Sequence, residues 1–217
     1  MITQDQIFLD GEADAWFLRN KDALASVRND MPLRLVEMYD LAPTWALEVG
    51  CANGWRLDAL RRDYGAKHCV GVDPSLIALE AGRASFPDLD LRHGTAAALP
   101  CAEGEVYDLV VCYFVLHWVG RSQLLKSLAE IDRVTEGAGH VIIGDFLPNS
   151  PRKEPYHYRP GLWTYTTDYS AILTATGMFT RVARLTFDHE TRALCGNIAE
   201  RGRCTCDLLR KESTFRV

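Results

Sequence analysis

The sequence predicts an α/β fold in which helices cover both faces of a mostly parallel, doubly wound sheet. Between residues 44 and 146, short apolar runs alternate with amphipathic stretches at the spacing of βαβ units. Several of those runs are apolar at nearly every position, as strands buried on both faces must be. The 217 residues are 47% hydrophobic, enough for one sizeable core and a single domain spanning 1–217.

Each element has its own signal. Residues 1–42 read as a helical cap. Residues 11–20 form a short aromatic-rich piece with Trp16 and Phe17. Residues 21–40 carry Leu24, Val27, Met31, Leu35 and Met38 at spacings of three and four, one helical face, with a break expected at Pro32. Residues 44–49 form the first apolar run and 54–64 an amphipathic helix. A second strand at 69–72 precedes a helix at 75–85 with Ser75 as its N-cap. A weak strand is expected at 89–92, a strongly apolar one at 108–116, a helix at 122–134 and another apolar strand at 140–146. Residues 147–167 read as a long aromatic loop, with Pro148, Pro151, Pro155 and Pro160 among Tyr156, His157, Tyr158, Trp163 and Tyr165. Loops of that length in a compact domain are usually functional. A helix at 168–176 with Gly177 after it, then strands at 179–187 and 203–209, close the chain.

Composition narrows the function class. The net charge is −5 with no Lys/Arg stripe, so nucleic acid is not an expected partner. No apolar run approaches the roughly 18 residues of a membrane span, and the first residues lack the basic and apolar regions of a secretory signal. Seven cysteines, an odd number lying mostly in apolar runs, suggest reduced thiols in a cytoplasmic compartment. Cys204 and Cys206 are too close for a CxxC zinc pair, and no metal is expected.

The chemistry centres on Glu48-Val49-Gly50-Cys51-Ala52-Asn53-Gly54. A strand ending near an acid, followed by small residues and a helix, brings backbone close to a ligand. A dinucleotide motif starting at Gly50 needs small residues at positions 52 and 55, and Trp55 is bulky beside a pyrophosphate. The pattern acid-x-Gly-x-Gly/Ala-x-Gly fits better. Its early carboxylate suits S-adenosylmethionine, which carries an amino group and a sulfonium. Asp73, 19 residues after Gly54, ends the next strand, where an acid accepts bonds from ribose hydroxyls.

ALEVGCANGW, VGVDPS, RHGTAAALP, YDLVVCYFVLHWV and HVIIGDF, spread over 44–146, resemble the ordered motifs of the class I, Rossmann-like S-adenosylmethionine-dependent methyltransferases. The resemblance implies a seven-stranded sheet of order 3-2-1-4-5-7-6, strand seven antiparallel. It assigns cofactor binding to Glu48, Gly50, Cys51, Ala52, Asn53, Gly54, Asp73 and Pro74, to Thr95 and Ala96 beside the adenine, and to Cys112 and Tyr113 near the methionine end. Ala52 departs mildly from the commoner Gly. FLDGEADAWFLRN and PYHYRPGLWTYTTDY resemble a subgroup acting on small molecules, often sugars or secondary metabolites. The expected product is S-adenosylhomocysteine, the partner a small-molecule substrate, and the assembly a monomer or homodimer.

An alcohol acceptor needs a general base, and an amine needs somewhere for its proton to go. His117 stands at the ligand-facing end of the fourth strand, Asp145 is an unexpected acid in the fifth, and His157 sits in the aromatic insert. These three are the catalytic candidates. Trp16, Phe17 and Asn20 of the cap, with Tyr156, Tyr158, Trp163 and Tyr165 of the 147–167 insert, are the expected substrate wall. His189 lacks supporting context. Two other functions remain open at this level: a non-catalytic activator of a partner methyltransferase, and an NAD(P)-dependent oxidoreductase, which Glu48 and Trp55 disfavour.

Overall fold

A computed structural model describes residues 3–25, 29–194 and 197–213. The first parallel strands are β1 (Trp45–Val49), β2 (His68–Asp73), β3 (Asp90–His93), β4 (Tyr107–Tyr113) and β5 (Thr135–Phe146). A separate antiparallel hairpin follows, β6 (Arg152–Pro155) and β7 (Trp163–Thr166), and then β8 (Phe179–Asp188) and β9 (Arg203–Lys211). The main sheet runs β3-β2-β1-β4-β5-β9-β8, with β9 antiparallel to both neighbours. With the hairpin set aside, this is the expected order.

Alternation along each strand builds two cores. Leu47, Val49, Val70, Val72, Val110, Cys112, Val141 and Ile143 fill one face. Ala46, Cys69, Leu109, Val111 and Ile142 fill the other. Apolar residues on both faces explain why these strands read as continuous apolar runs. The helices α4 (Trp55–Tyr64), α5 (Leu76–Ser85), α6 (Arg121–Val134) and α7 (Tyr169–Ala175) cover them, after α1 (Gln4–Ile7), α2 (Ala13–Ala25) and α3 (Met31–Met38). Ser75 caps α5 by accepting from the Ala78 N–H at 3.0 Å. Among the described residues no helix is long and apolar enough to cross a membrane.

Two expectations change. The helical stretch 21–40 is two helices. Asp30 accepts from the Leu33 N–H at 3.1 Å and starts α3, with Pro32 in its first turn, where a missing N–H costs little. The chain therefore breaks before the proline rather than at it, and Val27 lies outside the described residues. The segment 147–167 is not an open loop. It pairs Arg152 with Thr166 and Pro155 with Trp163 in the β6–β7 hairpin. Prolines masked that strand signal, yet Pro155 sits at a strand end, where its missing donor is tolerated.

Candidate functional site

All the parallel strands end on one edge of the sheet, and a cavity of about 770 Å³ opens there. Strand order divides it. One half lies beyond β1, β2 and β3, and the other beyond β4, β5 and the β8–β9 connection.

The first half is built on the loop after β1. Gly50 and Cys51 donate to the Val72 carbonyl at 2.7 and 3.2 Å, and the Ala52 N–H donates to Asp73 Oδ2 at 2.8 Å. The Gly54 N–H is bonded to the Cys51 carbonyl at 2.9 Å. These four N–H groups are engaged within the protein and are not free to cradle a pyrophosphate. Asp73 Oδ1 also accepts from the Ser75 N–H at 2.8 Å, so one carboxylate clamps the loop to the start of α5 while lining the cavity. Burial raises its pKa to about 6, against the pull of those two amides.

Glu48 is buried beneath the same loop. Its Oε1 takes the Arg56 guanidinium, which Asp30 also holds at 2.9 Å. Burial pushes the Glu48 carboxyl up to about 7, with Arg56 pulling it down. Its Oε2 faces no hydrogen-bond donor among the described residues. Asp5, Asp30, Glu48 and Asp73 thus line this half against Arg56. An acid-rich wall with an orphaned buried acceptor suits a ligand carrying an ammonium and a sulfonium, the charges of S-adenosylmethionine, and not a polyanion.

Pro74, Thr95 and Ala96 line the same half, as expected. The helical cap closes over it by several ties. Asp14 Oδ1 accepts from the Ser75 hydroxyl at 2.7 Å. Gln4 donates to the Trp118 carbonyl at 2.6 Å and to the Trp163 carbonyl at 3.0 Å. Arg19 donates to Glu12 at 2.6 Å and to the Tyr156 hydroxyl at 2.8 Å, joining α2 to the hairpin.

The second half holds His117 and, behind it, Asp145. Both are buried. The His117 backbone N–H donates to Asp145 Oδ2 at 3.0 Å, and its ring Nδ1 lies 3.0 Å from Asp145 Oδ1. A carboxylate only accepts, so Nδ1 carries a proton and Nε2 is the ring nitrogen turned away from Asp145. Phe114, Trp118, Phe146, Tyr156, His157 and Tyr158 also line the cavity, as do Trp16 and Asn20, with Trp16 packed against Phe17, Ala52 and Ala78 beside the loop after β1. His157 is exposed at the cavity edge, its ring tilted by 41° and 4.0 Å from that of Tyr158.

Some expected site residues lie elsewhere. Asp145 does not line the cavity and lies behind His117. Cys112 points from β4 into the core under the sheet, because strand alternation gives the cavity to Tyr113. Asn53 and Gly54 lie off the cavity. A Cβ on Gly54 would meet Leu89 at 2.9 Å, and its φ is +79°, so the glycine serves helix–sheet packing and a left-handed turn rather than a ligand. Phe17 is buried against Ala52 and Ala78, holding α2 on the loop. Trp163 and Tyr165 face Lys153, and Tyr165 also faces Arg121, at 4.0 to 5.8 Å. Period-2 alternation along β7 presents Thr164 and Thr166 to the cavity instead.

Sequence reasoning missed His189, Arg192, Asp5 and Asp30, all lining residues. The β8–β9 connection carries no motif. It reaches the cavity because β8 runs parallel to β5 and ends at the same edge. His189 packs 4.9 Å from Phe146 and 5.3 Å from Phe114. Burial lowers its pKa, with Arg192 and His117 adding to the effect.

The chain is similar to known methyltransferases. Residues 47–143 match the family model described as a methyltransferase domain. A demethylmenaquinone methyltransferase of Renibacterium salmoninarum is 38% identical over 77 residues, covering 36% of this chain and 31% of the relative. The curated relatives it matches are longer: the matched segments span between 31% and 49% of their lengths. A didemethyltoxoflavin N-methyltransferase of Burkholderia thailandensis, solved with its substrate and S-adenosylhomocysteine, superposes with a TM-score of 0.72 at 16% identity, covering 95% of this chain and 88% of that one. The N-methyltransferase NodS of Bradyrhizobium japonicum, with S-adenosylhomocysteine, gives 0.59 at 19%, covering 82% and 83%. Residues 47–143 thus match a methyltransferase domain, and the sheet order and these superpositions give the chain the fold of the class I, S-adenosylmethionine-dependent methyltransferases.

Proposed function

We propose that the chain methylates a nitrogen or oxygen of a small-molecule acceptor, a sugar or secondary-metabolite intermediate, in a reducing cytoplasmic compartment. One observation carries this reading: the acid-lined half and the His117–Asp145 half belong to one cavity. Donor and acceptor held in one enclosed space meet the main demand of methyl transfer, which is alignment with water excluded.

Asp73 would accept from ribose hydroxyls, Thr95 and Ala96 would flank the adenine, and Glu48 Oε2 would take the amino group. The bound cofactor would supply an electrophilic methyl group. His117 Nε2 takes the acceptor's proton, and Asp145 stabilises the imidazolium that forms. Trp118 and Tyr156, which line the cavity, would shield the site, and the cap residues would hold the cofactor in place.

Calorimetry and mass spectrometry test this. S-adenosylhomocysteine should bind and NAD(P) should not. Trideuteromethyl-labelled S-adenosylmethionine, incubated with the protein and a low-mass extract fraction, should yield a labelled small molecule. His117→Ala should keep S-adenosylhomocysteine binding and lose the labelled product. Label appearing only in protein, or undiminished product from His117→Ala, would overturn the assignment.

A further inference from the structure

The acceptor half of the cavity has the opposite electrostatic character from the cofactor half. Its charged lining residues are Arg152, Arg192 and Arg201, with Glu154 and Glu200. Glu200 is held by Arg152 at 2.7 Å. Glu154 stands exposed on the hairpin. Among the described residues no carboxylate pairs with Arg192 or Arg201. Arg192 is half-buried. It donates to the Tyr113 hydroxyl at 3.1 Å and lies 5.3 Å over the Phe114 ring and 5.7 Å over Phe187. Asp188, on the same connection, is occupied by the Glu190 and Thr191 N–H groups at 3.1 and 2.9 Å.

A guanidinium stacked on rings keeps its in-plane N–H groups for a partner, and one phenol oxygen satisfies only part of that fork. Resting on the methyltransferase reading of this cavity, we infer that the acceptor is an anion, bearing a carboxylate or phosphate group that Arg192 receives, its body against Phe114, Phe146 and His189. Charge then orients both ligands: the cationic donor lies towards the acids beyond β1 and β2, and the anionic acceptor towards Arg192. An anion so placed cannot enter the cofactor half without meeting like charge, so the same arrangement sets the order of the two ligands along the cavity.

Benzoate, phenyl phosphate and benzamide distinguish the cases. They are titrated by calorimetry into protein saturated with S-adenosylhomocysteine. At least one anion should bind about tenfold more tightly than benzamide, as a charge-assisted bond predicts. Whichever anion gains more identifies the group. Arg192→Gln should abolish the preference and Arg192→Lys should keep part of it, since a charge remains. Equal or absent binding of all three probes, or an unchanged preference in Arg192→Gln, overturns this inference alone. Failure of the wild-type protein to bind S-adenosylhomocysteine overturns the reading beneath it.

Discussion

Asp73→Ala offers the sharpest test of the cofactor half. The Asp73 carboxylate has about four acceptor positions. The Ala52 and Ser75 amides occupy two of them, at 2.8 Å each, leaving two for the ribose hydroxyls on the cavity side. Each hydrogen bond to a charged group contributes about 1.5–3 kcal/mol. The carboxylate is also costly to bury, as its pKa of about 6 indicates, so the lower end applies. A loss of about 3 kcal/mol is expected, roughly a hundredfold in the Kd of S-adenosylhomocysteine by calorimetry. Loosening of the loop would add to this. A second ligand, the 2′-deoxy counterpart, separates the two effects. Wild type should discriminate against it, and Asp73→Ala should not, because the acceptor that reads the hydroxyl is gone. An affinity within about threefold of wild type in a folded variant, or retained discrimination, would refute the reasoning.

Two further outcomes follow from the same geometry. The Glu48 carboxyl titrates near 7 when folded against an ordinary 4.5, so the folded state holds that proton more tightly. The resulting stability is fully present below about 4.5 and is lost as pH rises through 7. Glu48→Gln, which cannot ionise, should therefore gain on ligand-free wild type across that window by on the order of 3 kcal/mol in urea unfolding, and parallel pH profiles would count against a buried, titrating Glu48. Phe17→Ala removes a ring packed on Ala52 and Ala78. It should lower Tm by roughly 5–10 °C and weaken S-adenosylhomocysteine binding, whereas no change in either would mean that α2 does not brace the loop.

Much of the frame is local in origin and therefore legible in the chain. Apolar runs buried on both faces, Ser75 as a cap and the spacing from Gly54 to Asp73 each depend on neighbours within one βαβ unit. So does the choice between cofactors: Glu48 and Trp55 argue against a pyrophosphate, and the engaged loop amides give the structural reason. The role of Gly54 was less legible. Small residues suggested a close ligand, and the close neighbours are Leu91 of β3 and Leu89 just before it.

The substrate side depended on tertiary structure. Whether a strand residue meets cavity or core is set by register and by which strand lies beside it, which separates Tyr113 from Cys112 and Thr164 from Trp163. Asp145 became the partner of His117 only through the β4–β5 pairing. His189 and Arg192 have no motif, and they reach the cavity because antiparallel β9 returns the chain so that β8 ends beside the other strand ends. Composition and periodicity determined the sheet, the loop and the place of Asp73 at the end of β2. Contacts between residues 28 to 159 positions apart, which no local pattern encodes, decided what lines the rest of the cavity.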